Sequence, residues 1–303
     1  MKKSLIFLLF VASIIVSCGV SEEEQRKMSH AERLRLQRED SLALKIAVMP
    51  TLDCLPIYIA KDCNMFDTLG VDVRLRKYTA QMDCDTAILG GSVEGLVTDI
   101  VRTKRMQTEE AKDLYLLSTT NSYWQLIANQ KARIKNLKQL SDKMVAMTRY
   151  SATDWLTDYV LRDVNTASEV FRVQINDVNI RLNMLLNNEM DAMWLSEPQA
   201  TVARRYGNNV LFDSKKTNLN FGVIAFAKNC TTDKHRQKQL EGFKTAYNMA
   251  CDSINANGFM HYEAIIRKYY KLDEKTMSML PQLKYSHITK PGNIDLNVVK
   301  KTK

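Results

Sequence analysis

From Leu44 onward the chain alternates short apolar runs with segments that carry helix-start signals, and this alternation narrows the fold more than any other feature. A short apolar strand is predicted over Leu44–Met49. Asp53 can cap a helix reaching Phe66, with Pro56 in the first turn, where a missing N–H costs nothing. Val71, Val73 and Leu75 alternate with Asp72, Arg74 and Arg76, the period-two pattern of a strand with one wet face. Further strands are predicted at 113–118, 125–128, 144–147, 171–175, 192–195 and 221–226. Helices are predicted from Ser151 to about Arg162, around 178–186, from Pro198 to Tyr206, and in a long final stretch from Lys234 to Tyr270. Strands alternating with helices imply α/β layers with mostly parallel strands. No repeat of solenoid period interrupts them.

The segment before Leu44 is of another kind. Lys2 and Lys3 precede an apolar run, Leu5 to Val16, and Ser17 precedes Cys18. About twelve apolar residues fall short of the ~20 that span a bilayer, so the pattern predicts a lipoprotein-type leader. Residues 1–17 are then removed, and Cys18 becomes a lipidated N-terminus bearing an acyl group such as palmitate. The expected location is the cell envelope, anchored to a bacterial membrane and either periplasm-facing or surface-exposed. Residues 18–44 form a polar tether: Glu22 to Asp40 holds six acidic and five basic residues and no aromatic. Such a stretch buries too little to fold alone.

Loss of Lys2 and Lys3 with the leader takes the formal charge from +9 to +7. Basic residues are scattered, the densest group (Lys300, Lys301, Lys303) is the C-terminal tail, and no basic block interleaves with aromatics, so nucleic acid is not an expected partner. Besides Cys18 the cysteines are Cys54, Cys63, Cys84, Cys230 and Cys251, with no C-x-x-C pair. A disulfide is open in an exported chain, though buried cysteines acting as small hydrophobes account for most of them. No nucleophile elbow, phosphate loop or paired metal ligands occur, and His30, His235, His261 and His287 all lie outside the strand-end segments. No catalytic residue, cofactor or metal is expected.

Four segments in order carry a resemblance. The first is Lys45–Phe66, in which a strand meets Leu55-Pro56-Ile57-Tyr58-Ile59-Ala60-Lys61, then Asn64-Met65-Phe66 and the strand Val71-Asp72-Val73. Ala87-Ile88-Leu89-Gly90-Gly91-Ser92-Val93-Glu94-Gly95-Leu96-Val97-Thr98-Asp99 is the second segment. The third is Met144–Val160, in which Ser151-Ala152-Thr153-Asp154 begins the helix, and the fourth is Leu185–Asp213, with Leu185-Leu186-Asn187-Asn188-Glu189-Met190-Asp191-Ala192 and then Ser196-Glu197-Pro198. Together they resemble the type 2 periplasmic solute-binding proteins of ABC importers, in the branch that takes sulfonates, nitrate, taurine or thiamine-pyrimidine precursors. Asn64 stands where that family usually has glycine, a tolerable change because Asn accepts left-handed backbone. Glu94-Gly95 replaces the usual Asp-Ala or Asp-Gly, and the chain ends in a shortened final segment.

The resemblance implies a two-lobed α/β fold with a ligand cleft between the lobes. Lobe 1 would hold 45–122 plus 222–303 and lobe 2 would hold 123–221, with hinge strands at Tyr123–Leu126 and Asn220–Gly222. It implies capture of a small solute by lobe closure and delivery to an ABC permease and ATPase, by a monomer held to the membrane through its lipid. Two other functions stay open: a surface sensor or adhesion lipoprotein, and an enzyme on the same fold.

Ligands in such layers bind beyond the carboxyl ends of strands. Thr51 and Asp53 follow the first strand; Asp53 can accept from a ligand amine or serve as a helix cap. Thr79 and Gln81 follow the second strand, and Asn121 ends another. Ser151 and Thr153 offer hydroxyls and free N–H groups to an anion at a helix start, with Arg149 two residues upstream. Trp194 can stack on a planar ring and Glu197 can accept from an amino group; core packing and favourable charge at a helix start are the alternatives. Tyr123 and Trp124 are further aromatic candidates. An anion would lean on Ser151, Thr153 and Arg149, a heteroaromatic ligand on Trp194 and Glu197, and the residues alone leave both open.

Overall fold

The computed structural model describes residues 29–292 and 295–296; the expected leader and Cys18 lie outside the described residues. His30–Leu42 forms α1, opened by Ser29, whose hydroxyl accepts from the Glu32 N–H at 3.2 Å. None of its residues is buried, and Arg35 lies within ion-pair reach of Glu32 and Glu39. This is a helix with no apolar stripe to bury.

The body begins at Leu44. In chain order it comprises β1 (Leu44–Val48), α2 (Leu55–Asp62), α3 (Met65–Thr68), β2 (Val73–Lys77), α4 (Gln81–Leu89), β3 (Gly95–Asp99), α5 (Ile100–Thr108) and β4 (Leu114–Thr119). There follow β5 (Trp124–Ala128), β6 (Met144–Met147), α6 (Ala152–Leu161), β7 (Phe171–Gln174), α7 (Val178–Leu186), β8 (Ala192–Ser196), α8 (Gln199–Arg205) and β9 (Asn209–Asp213). The chain closes with β10 (Gly222–Ala227), α9 (Lys234–Asn257), α10 (Glu263–Tyr270) and α11 (Glu274–Ser278).

These strands make two sheets of the same plan. The first has the order β2-β1-β3-β10-β4, the second β7-β6-β8-β5-β9. In each, three strands run parallel, and one strand, β10 or β5, pairs antiparallel on both sides. The chain crosses from the first sheet to the second after β4 and returns after β9, so each antiparallel strand arrives directly from the other sheet. The fold is the two-lobed α/β arrangement expected. Leu44, Ile46, Phe66, Phe226 and Phe243 anchor the larger core, where α2 and α9 cover the first sheet. Leu126, Leu156, Trp194 and Phe221 anchor the second lobe's core under α6.

Several local expectations need correction. The first helix does not begin at a capping Asp53: a short 3₁₀ turn spans Leu52–Cys54, and α2 starts at Leu55 with no side-chain cap. The Asp53 carboxylate turns instead to Thr120 Oγ1, 3.4 Å away across the interior. The helix also breaks before Phe66, at Asn64, whose φ of 55° is the left-handed conformation its place in the motif implied. Helix α4 went unforeseen because it buries only Cys84, Ala87 and Ile88 among polar neighbours. Strand β9 is a half-buried edge and shows no clean alternation. All five cysteines of the described residues are free thiols, and only Cys63 is exposed.

Gly222 is required by close approach: a Cβ there would sit 2.2 Å from Thr120 Oγ1 and 2.7 Å from Ser122 Cβ. Gly222→Ala should therefore cost about 1–3 kcal/mol of stability as overpacking, measured by urea denaturation.

Candidate functional site

The carboxyl ends of strands from both sheets converge on one cavity of about 50 Å³, room for roughly three or four water-sized bodies. Thr51 and Asp53 enter from the turn after β1, Gln81 from the start of α4, Asp99 from the end of β3 and Arg102 from α5. The second lobe contributes Thr148, Ser151 and Thr153 after β6, Arg181 from α7 and Ser196 from the end of β8. Ser122, on the crossing between the sheets, and Trp124, the first residue of β5, complete the wall with Met49, Val97, Thr98 and Val178. Cavities at strand ends are where open α/β layers bind ligands.

Charge dominates this small space. Arg102 pairs with Asp85 and stands 3.9 Å from Asp99, yet its Nε and Nη2 have no hydrogen-bond partner. Arg181, 5 % exposed, donates from Nη1 to the Trp194 carbonyl at 3.1 Å, and its Nε is unpartnered. Among the described residues Arg181 has no carboxylate within ion-pair distance. Burial, reinforced by Arg102, pushes its guanidinium down to about 10, against the pull of Asp177. Burial pushes the Asp99 carboxyl up to about 6, opposed by Arg102 and by the backbone N–H groups of Arg102 and Ala152. Asp53 is raised in the same way by burial, and its Oδ1 has no hydrogen-bond partner.

The sequence-predicted residues divide by place. Thr51, Asp53, Gln81, Ser151 and Thr153 all line the cavity. The hydroxyls of Ser151 and Thr153 are already engaged, with each other at 2.7 Å and with the Thr148 carbonyl and N–H, so they shape the start of α6. Asn121 and Glu197 lie behind the cavity, in a space of about 10 Å³ shared with Asp53 and Ser122. Glu197 is fully occupied there: it accepts from Tyr123 at 2.9 Å, from the Thr201 N–H and hydroxyl, and pairs with Arg204 at 2.8 Å. Thr79 does not face the cavity but donates to Asp177 across the lobes. Arg149 is exposed and away from it.

Trp194 is the clearest correction. Its side chain is fully buried in the second lobe's core, its indole N–H donates to Thr157 Oγ1 at 2.9 Å, and its ring meets Phe212 edge-on. No face is free to stack on a ligand. Sequence reasoning missed Arg102, Arg181 and Asp99. The available signal was Asp99-Ile100-Val101-Arg102 and Asp177-Val178-Asn179-Ile180-Arg181: a capping aspartate after a strand, then an arginine among apolar residues one turn on.

The family model described as NMT1/THI5 like matches residues 51–257. The chain belongs to the NMT1/THI5-like family. Among solved structures, the alkanesulfonate-binding protein SsuA from Xanthomonas axonopodis pv. citri, bound to MOPS, matches with 14% identity and a TM-score of 0.70, over 85% of this chain and 90% of that one. The ligand-binding component of an ABC-type import system from Staphylococcus aureus, with zinc bound, gives 12% identity and 0.70 over 85% and 89%. The periplasmic nitrate-binding protein NrtA from Synechocystis PCC 6803 gives 13% and 0.67 over 77% and 68%. At these identities the likeness establishes the fold. No curated protein matches in sequence. In this member of the NMT1/THI5-like family the indole is part of the core, so Trp194→Ala should cost about 3–5 kcal/mol of stability, read by chemical denaturation.

Proposed function

We propose that this protein is the solute-binding component of an ABC importer, and that its cleft takes a small solute with a singly charged anionic head. The observation that carries the reading is Arg181: a buried guanidinium on the cavity wall, without a carboxylate partner among the described residues and with an unpartnered N–H. A buried charge is costly unless paired, and an anion in the cavity would supply the missing partner. Asp53, with its free Oδ1, suits a hydrogen-bond donor at the ligand's other end, such as an amine or hydroxyl. The sulfonate- and nitrate-binding proteins that share the fold support this class of ligand. The heteroaromatic alternative loses its support here, because Trp194 is in the core and Glu197 is saturated by its neighbours. Capture of this kind needs differential affinity for the closed lobes and no bond chemistry, so the reading is a binding protein and not an enzyme.

Arg181→Met tests it. Affinity for methanesulfonate or nitrate, titrated by calorimetry, should fall at least about tenfold, or ~1.4 kcal/mol. Stability should hold or rise, since a buried unpaired charge has been removed. Retained affinity would sink the anion reading. The pH dependence has a definite sign. Asp99 titrates near 6, so as the pH falls through that value the cleft loses a negative charge and holds an anion more tightly, with proton uptake on binding. Asp99→Asn, which keeps the helix cap, should flatten this dependence between pH 7.5 and about 5.

We further propose that the protein works outside the cytoplasm as a monomer, tethered by lipid on Cys18, with residues after it serving as the spacer and a permease and ATPase as partners. Mass spectrometry of the mature N-terminus should show acylated Cys18, and Cys18→Ala should move the protein from the membrane fraction to the soluble one.

A further inference from the structure

The end of β2 and the start of α7 meet across the mouth of the cleft. Thr79 Oγ1 donates to Asp177 Oδ2 at 2.5 Å, the Val178 N–H donates to the Thr79 carbonyl at 3.0 Å, and Ala80 and Asp177 form an antiparallel bridge. The Val178 side chain is buried and joins the apolar cluster of the first lobe that holds Met49, Cys84 and Ile88. Asp177 divides its carboxylate: while Oδ2 reaches the other lobe, Oδ1 caps α7 by accepting from the N–H groups of Asn179 and Ile180 at 2.8 and 2.9 Å. The Arg181 N–H closes the first turn on the Asp177 carbonyl at 3.0 Å. The helix cap, the contact with the opposite lobe and the cleft arginine therefore share one helical turn.

We propose that Thr79 and Asp177 are positioning residues: together they form an interlobe latch that holds the cleft closed and fixes the turn bearing Arg181. This rests on reading the cleft as the solute site. Separation of the lobes would break a charge-assisted hydrogen bond, return a helix-start N–H to water and uncover Val178. These contacts exist only when the lobes meet, so they raise the closed population whatever the cleft holds. Apparent affinity scales with that population. The latch thus slows release without touching the ligand.

The test uses Thr79→Val, which removes the hydroxyl at nearly constant shape, with Thr79→Ser as the conservative rescue. Spin labels on Cys63 and on a Lys138→Cys variant, both exposed and one on each lobe, report lobe separation by pulsed EPR without ligand. Thr79→Val should shift the distance distribution to longer separations, and Thr79→Ser should restore it. In stopped-flow measurements with methanesulfonate, Thr79→Val should raise the dissociation rate at least about threefold. The association rate should stay within about twofold and the melting temperature should be unchanged; Thr79→Ser should again restore wild-type behaviour. Unchanged distances together with an unchanged dissociation rate would overturn the latch. If wild-type protein binds neither methanesulfonate nor nitrate, the solute reading fails, while the label distances still decide the latch.

Discussion

Each sheet is completed by a strand that has just left the other one. β10 lies between β3 and β4, buried over nearly its whole length, and is reached from β9 of the second sheet; β5 lies between β8 and β9 and is reached from β4 of the first. Neither sheet closes its antiparallel seam from contiguous chain, so among the described residues the chain passes between the lobes twice. The crossings carry dense packing: Gly222 sits against Thr120 and Ser122, and Phe221, one residue earlier, belongs to the second lobe's core. Close packing at both crossings resists separation of the lobes.

That geometry also decides where charge is buried. Strands that point their carboxyl ends into the same gap bring helix starts with them, and two of those starts carry a capping aspartate: Asp99 for α5 and Asp177 for α7. One turn beyond each cap stands an arginine. Arg102 finds its balance inside the first lobe, in Asp85 and Asp99. Arg181 is offered only a backbone carbonyl. Two similar local patterns thus give one neutralised and one buried but unpaired positive site on facing walls. The difference comes from Asp85, a residue of α4 that has no counterpart at Arg181 among the described residues.

Much of the architecture is legible in the amino-acid sequence, because period-two alternation and strand-length apolar runs are local signals. The strands from Leu44, Val73, Met144 and Ala192 emerged close to where they were expected. What was not legible depended on partners distant in sequence. Asp53 looked like a cap because Asp at a helix start commonly is one; its neighbour Thr120 is 67 positions away. Trp194 resembles a cleft residue because it sits near a strand end, but β8 runs two residues further: Ser196, on the same face at the carboxyl end, lines the cavity, while Trp194 lies one step back in the core. Glu197 was correctly placed at a helix start, while the arginine and tyrosine that saturate it could not be foreseen. Arg181 is not singled out by its own segment, because a single arginine in a short helix ordinarily snorkels to water.

The mixed charge of the cleft bears on selectivity more than on raw affinity. An uncharged solute would leave Arg181 unpaired and pay its desolvation in full, whereas a multiply charged one would press against Asp99 and Asp53. The proposed solute, with one negative charge and a donor to spare for Asp53, lies between those penalties. Discrimination of this sort comes from what the wrong ligand leaves unsatisfied. It needs a wall that cannot relax to rescue the mismatch. The short α7, capped by Asp177 and backed by the Trp194 carbonyl, is built to hold the guanidinium in place when the ligand does not suit it.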